Sequence, residues 1–244
     1  MLAIRRDLEG FAIGAVDGEI GRVKDAYFED RFWTICYLVV ETGHWLPGRR
    51  VLVAPRRIDA VDRAGQILHT ALTRAQIAAS PPIDTAKPVS RQQALRLARR
   101  GSLPYYMTLL GASMTLAALS FEADQVPPVR RSSDEARLRS VRAIVGLPVH
   151  AEDTDVGHVV DVLVDETSWR IRDLVVALSW WSRLRVLIPV DWVTRLSWDA
   201  GCVDVALGSE TIRTAPPLEP ARSAGPADEA RVRHHYGPTP FTST

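Results

Sequence analysis

The chain contains one unit twice, and this repeat limits its architecture more than any other feature. Residues 20–40, IGRVKDAYFEDRFWTICYLVV, return at 156–176 as VGHVVDVLVDETSWRIRDLVV. Laid together, 21–40 and 157–176 agree at eight of 20 positions, which are Gly, Val, Asp, Trp, Ile, Leu, Val and Val. A one-residue deletion in the following loop then pairs Val51 with Val186, Ala71-Leu72 with Ala206-Leu207, Ile77 with Ile212, and Pro81-Pro82 with Pro216-Pro217. The tails correspond as well, with Ala94, Gly101, Pro104 and Tyr105 opposite Ala230, Gly237, Pro240 and Phe241. Two copies are too few for a solenoid, whose single repeats cannot bury their own face, so each copy is expected to hold its own core.

Within one copy the pattern is that of short strands. Residues 11–16 precede Asp17-Gly18, a strong hairpin signal. Runs at 20–28, 33–40, 50–54, 57–61 and 66–71 follow, rich in β-branched and aromatic residues. The third run carries Ile35, Cys36, Tyr37, Leu38, Val39 and Val40, nearly continuous apolar character that suits a strand buried on both faces. Thr73-Arg-Ala-Gln76 has the form of a capping box and predicts a one- or two-turn helix before Pro81-Pro82.

Composition excludes several classes. Thirty basic residues against 29 acidic ones leave a net charge of +1, so nothing pulls the whole chain toward nucleic acid or anionic membrane. Cys36 and Cys202 are the two cysteines, and neither has a second Cys or a His at metal-site spacing. No disulfide framework, zinc site or cofactor is implied. There is no phosphate-binding glycine motif, no nucleophile elbow and no ligand spacing among the six histidines, so catalysis is not expected. Residues 103–121 lack charge but are diluted by Ser, Thr, Gly and Pro. They are read as linker rather than as a membrane span. Residues 87–142 hold ten basic and four acidic side chains, and 91–100 has the makings of a short basic amphipathic helix.

The motif Asp17-Gly18-Glu19-Ile20-Gly21-x-Val23-x-Asp25, then Trp33, Tyr37-Leu38-Val39-Val40 and Val51-Leu52-Val53-Ala54-Pro55, resembles the PRC-barrel domain. The second unit resembles it through Asp153, Gly157, Val159, Asp161, Trp169, Leu174-Val175-Val176 and Val186-Leu187-Ile188-Pro189. That domain occurs in the cytoplasmic part of the photosynthetic reaction-centre H subunit and at the C-terminus of ribosome maturation factors. The resemblance covers about 10–80 and 142–215. It implies a mainly β fold, two small six-stranded PRC-type β-barrels in tandem, each followed by a short helix and a Pro-containing arm. The expected boundaries are barrel 1 at 8–85, a partly helical or disordered linker at 86–140, barrel 2 at 141–217 and an extended or disordered tail at 218–244. The job implied is non-catalytic docking or assembly on a protein partner or by self-association, as in proteins related to the H subunit. The alternative is RNA or ribosome-assembly binding through the basic linker. No integral span is expected. The expected setting is the cytoplasm, with peripheral association at the inner membrane face left open.

Candidate residues follow from the repeat. Asp25 and Asp161 keep a carboxylate inside an otherwise apolar strand. They are either proton-handling or ligand groups with a raised pKa, or hydrogen-bonding partners of turn backbone. Gly21 and Gly157 are expected to be structural, at a positive φ or a bulge. Trp45, Trp180 and Trp181 lie in the loop after the third strand and are candidates for partner contact. Positions that differ between copies, such as Arg22 against His158 and Cys36 against Arg172, are where any chemistry would have to reside.

Overall fold

The structure, a computed structural model, describes residues 1–46, 48–78, 138–179, 184–218 and 225–238. The chain divides into two compact units. The N-terminal unit holds Gly10–Lys24 and Cys36–Arg139, and the C-terminal unit holds Met1–Glu9, Asp25–Ile35 and Ser140–Thr244.

The first copy runs β2 (Ala12–Ala15), β3 (Gly18–Glu29), β4 (Thr34–Thr42), β5 (Arg50–Val53), β6 (Ile58–Asp62) and β7 (Ile67–Thr70), then helix α1 (Arg74–Ala78). These match the six runs read from the sequence. In α1 the capping box forms as its spacing predicts. Gln76 N donates to Thr73 Oγ1 at 3.2 Å, and Thr73 N donates to Gln76 Oε1 at 2.9 Å. The second copy runs β9 (Pro148–His150), β10 (Asp155–Val164), β11 (Ile171–Ala177), β12 (Arg185–Pro189), β13 (Val193–Ser197) and β14 (Cys202–Val205), then α3 (Ser209–Arg213).

The strand orders are the same. One sheet runs β5-β4-β3-β2-β7-β6, and the other runs β12-β11-β10-β9-β14-β13. In each, the first strand of the copy pairs parallel with the last, β2 with β7 and β9 with β14, while β2–β3, β4–β5, β6–β7, β9–β10, β10–β11, β11–β12 and β13–β14 run antiparallel. Among the described residues no pairing joins β6 to β5 or β13 to β12. The strands form two mixed sheets of seven and eight strands, where two six-stranded barrels were expected, and the described residues show no pairing that closes either one. Each gains strands from outside its own copy's core set, which a reading of one copy at a time does not show.

Two of those additions come from the segments leading into the copies. β1 (Leu2–Ala3) pairs antiparallel with β10, Leu2 opposite Val164 and Ala3 opposite Leu163. β8 (Leu138–Ser140) pairs with β3. Each leader continues into a helical turn, Ile4–Leu8 after β1 and α2 (Val141–Ile144) after β8. Ile4, Leu8, Val141 and Ile144 are all buried. The first nine residues thus belong with the second copy, so the boundary expected at residue 8 falls inside a different unit from the strands that follow it. β15 (Pro217–Leu218) adds to the edge at β12.

The tail is also more ordered than its proline count suggests. α4 (Pro226–Tyr236) is an 11-residue helix, which corrects the expectation of an extended or disordered 218–244 over that stretch. Pro226 stands at the start of the helix, where its missing N–H costs nothing. Asp228 Oδ2 accepts a hydrogen bond from Gly225 N at 2.9 Å. Asp228 and Glu229 lie in the first turn and Arg233, His234 and His235 in the last, signs that suit the helix dipole. Gly237, at φ +73°, ends it.

Gly21 and Gly157 are required by a close approach of two backbones. A Cβ on Gly157 would lie 2.1 Å from the carbonyl oxygen of Ala177, and one on Gly21 would lie 2.1 Å from that of Glu41. The neighbouring atoms are main chain in a paired strand and cannot step aside. Gly157→Ala is expected to destabilise the fold by about 3 kcal/mol or more, within the range of severe backbone and overpacking changes. Urea denaturation of the purified protein checks this, and a midpoint equal to wild type would refute it.

Candidate functional site

Asp25 and Asp161 both act on the leaders. Asp161, 6% exposed, accepts from Arg5 N at 2.9 Å, Arg6 N at 3.1 Å and Val162 N at 2.8 Å. It thereby caps the Ile4–Leu8 turn from 156 residues away. Asp25 does the corresponding work on the second leader. It accepts from Ala26 N at 2.8 Å, from Arg142 N at 3.3 Å and from the Ser140 hydroxyl. Burial raises the pKa of both carboxyls, and the hydrogen bonds pull the other way. Of the two readings offered by the sequence, backbone hydrogen bonding describes the geometry, although the backbone is that of a leader and not of the adjacent hairpin turn.

The hairpin tips of the two copies exchange hydrogen bonds inside the C-terminal unit. Ile35 N donates to Trp169 O at 2.8 Å, and Ile171 N donates to Trp33 O at 2.6 Å. Trp33 and Trp169 occupy left-handed backbone, at φ +51° and +56°, to present those carbonyls. Trp45 is half-buried, its Nε1 donating to Ile20 O at 2.6 Å with the Arg74 guanidinium 5.6 Å from its ring centre. Its indole N–H is therefore spent within its own unit. Trp180 and Trp181 lie outside the described residues, as does the linker from 79 to 137. Leu184, at the near end of the Trp180-Trp181 loop, is 43% exposed. Asp17 and Asp153, in the hairpin turns, cap the closing helices. Asp17 Oδ1 accepts from Arg74 N at 2.8 Å, and Asp153 accepts from both Ser209 N and Ser209 Oγ. The Ser209 hydroxyl, then its amide, holds the Asp153 carboxyl below the ordinary range.

Two groupings escaped the sequence reading. The first surrounds Asp173 on β11, only 2% exposed, whose Oδ2 has no hydrogen-bond partner among the described residues. Burial first, then the Glu229 carboxylate, push its pKa up to about 7. α4 lies over this region. Arg172 and Arg233 both pair with Glu229 Oε1, at 3.1 and 2.6 Å, and the buried Tyr236 hydroxyl donates to Leu187 O at 3.0 Å. Arg172, Asp173, Pro189, Asp191 and Arg233 line a cavity of about 10 Å³, room for roughly one water. The first copy has Tyr37 where Asp173 stands and Cys36 where Arg172 stands, so the cluster is particular to the second copy.

The second grouping lies on the facing strands β9 and β14. Cys202 and Asp204 alternate by two on β14 and so share a face, and His150 is in register with Asp204 across the parallel pair. The ligand-type atoms of His150, Cys202 and Asp204 lie within 4.8 Å of one another. His150 Nδ1 is 3.5 Å from Asp204 Oδ1, and Cys202 Sγ is 3.8 Å from the same oxygen. The other ring nitrogen, His150 Nε2, is 3.2 Å from Asp155 Oδ1, and Arg195 Nε donates to Asp204 Oδ2 at 2.9 Å. Cys202 is buried, and burial, followed by the Asp204 charge, pushes its thiol pKa up. In the first copy the same positions are Gly14, Ile67 and His69, so this grouping also belongs to one copy. The sequence signal for both groupings was the set of positions at which the copies disagree.

Comparison with known proteins agrees with this architecture in one half. Residues 137–216 match the family model for the PRC-barrel domain, and the chain carries one such domain there, a kind of non-catalytic binding module. The N-terminal copy forms a second β-sheet domain. A search of curated proteins returns no match. Among the described residues no helix is long and apolar enough to cross a membrane.

The Asp173 environment has a consequence for pH. Its folded pKa lies above its value of 3.8 in an unfolded chain, so the folded state binds the extra proton. The stabilisation this gives is complete below about pH 4 and is lost as pH rises through about 7. A displacement from 3.8 to about 7 corresponds to roughly 4 kcal/mol as an upper bound. Asp173→Asn, which stays neutral, is expected to gain stability relative to wild type as pH rises from about 5 to 8. Chemical denaturation of both proteins at each pH measures this, and a difference that does not change with pH would rule it out.

Proposed function

We propose that this chain is a tandem PRC-barrel protein acting as a non-catalytic protein-binding and assembly module. The observation that carries the reading is the match of residues 137–216 to the PRC-barrel domain. The strand order of that half recurs in the first copy, together with Gly21, Asp25, Trp33 and the helix-capping Asp17. These shared features support a second, diverged PRC-type unit in the N-terminal half. Residues common to both copies close turns, cap helices and hold leaders. That is the equipment of a scaffold, which leaves loops and edges for recognition.

The resemblance to reaction-centre H-subunit-like proteins favours docking on a membrane-associated complex from the cytoplasmic side. The contact surface assigned by this reading is the β11–β12 loop with Trp180 and Trp181, flanked by the exposed Leu184. Trp45 ranks below that pair, because its indole already bonds within its own unit. RNA binding through the linker arginines is the other reading. It rests on sequence alone, since that segment lies outside the described residues.

The double substitution Trp180→Ala/Trp181→Ala is expected to weaken capture of the partner at least tenfold, as loss of aromatic anchors does at interface centres. Affinity capture from the native cell extract, wild type beside variant, gives the answer. An unchanged set and amount of captured proteins would remove this loop as the docking surface. Capture of RNA that vanishes with salt would favour the linker reading.

A further inference from the structure

We infer that His150, Cys202 and Asp204 form a binding site for one zinc-class divalent cation, confined to the second copy. The site would be held by one imidazole nitrogen, one thiolate and one carboxylate oxygen, with water completing the set.

The donors suit that ion. Zinc takes nitrogen, sulfur and oxygen ligands together, and four-coordinate sites with three protein ligands keep a position for water. Metal bonds of about 2.0 Å to nitrogen and oxygen and about 2.3 Å to sulfur place the vertices of a tetrahedron roughly 3.3–3.6 Å apart. The observed separations of 3.5 Å from Nδ1 to Oδ1 and 3.8 Å from Sγ to Oδ1 are already near that spacing. Three donors converge here because the parallel β9–β14 pair puts His150 opposite Asp204, and the strand alternation puts Cys202 on the same face.

The surroundings are what such a site requires. A ligating histidine is ordinarily oriented by an acceptor on its other ring nitrogen, and Asp155 Oδ1 stands 3.2 Å from Nε2. With Nε2 carrying the proton toward Asp155, Nδ1 presents its lone pair to the ion. Asp204 is held the same way, since Arg195 occupies Oδ2 and leaves Oδ1 toward Nδ1 and Sγ. Binding expels the Cys202 thiol proton to solvent and forms the metal–sulfur bond, with no change of oxidation state. Without an ion, His150 would sit between two carboxylates and the Cys202 thiol would donate a hydrogen bond to Asp204 Oδ1 at 3.8 Å, and the titration below separates that arrangement from a metal site. The corresponding Gly14, Ile67 and His69 offer one donor, so the first copy serves as an internal contrast.

The test uses the full chain stripped with a chelator and titrated with Co²⁺, then with Zn²⁺ as competitor. The expected result is one equivalent of Co²⁺ giving a thiolate-to-metal charge-transfer band and the intense visible bands of four-coordinate cobalt, both abolished by Zn²⁺. Cys202→Ser should lose the charge-transfer band, Cys36→Ser should keep it, and His150→Gln should weaken binding by at least a hundredfold. Asp155→Asn should cost about tenfold, as loss of an outer partner does. His150 is half-exposed, so His150→Gln keeps the test valid should Cys202→Ser fail to fold, with circular dichroism checking each variant. Binding at His234-His235 in the tail would give no thiolate band. Absence of the band in wild type, or its persistence in folded Cys202→Ser, would overturn the site.

Discussion

A buried carboxylate accepting main-chain N–H groups from a distant segment is the interaction on which the rest of this structure depends. Asp161 takes the amides of Arg5, Arg6 and Val162, adding a distant cap to the local bond from Ala3 N to Asp7 Oδ2. Hydrogen bonds to a charged acceptor contribute about 1.5–3 kcal/mol each, more than neutral pairs. Burial opposes ionisation of this group, and the three amides offset that opposition. β1 contributes only two residues of pairing to β10, too little to hold a strand by itself. The aspartate turns a marginal edge pairing into a fixed one, and Asp25 repeats the device for the second leader.

The residues that the two sheets share in sequence are plain ones. They close hairpins and fill cores, and the positions between them differ. The pairs Tyr37 and Asp173, Cys36 and Arg172, Ile67 and Cys202, and Gly14 and His150 are such changes. In the second copy they bring a buried carboxylate, whose Oδ2 has no hydrogen-bond partner among the described residues, under α4, and a mixed set of donors onto β9 and β14. The first copy fills the same places with side chains that cannot do either.

Much of this was legible in the residues. Alternation and turn chemistry located all six strands of the first copy, and Thr73 with Gln76 announced the cap of α1. Both signals are local, carried by neighbours in the chain. The leader strands were not legible, because two or three residues have no period to read and their partners lie in the other copy. α4 was hidden by counting prolines over the whole tail, when Pro226 and Pro238 in fact bracket the helix. The His150, Cys202 and Asp204 grouping depends on which strand adjoins which. Spacing along the chain is silent about that, so a search for local ligand motifs passed over it. The barrels were implied by the PRC resemblance, and the run of strands along the chain is silent on whether the first and last edges meet.

The leader exchange also constrains how the protein can be made. Arg5 bonds to a residue 156 positions later, so the first strand leaves the ribosome long before its partner exists. At about 5–20 residues per second, this segment waits roughly eight to thirty seconds with Leu2, Ile4 and Leu8 uncovered. In that interval residues 1–9 cannot join the sheet to which they belong. Completion of the fold is thus a late event, and nascent chains interrupted before β10 would carry β1 without the strand it pairs with.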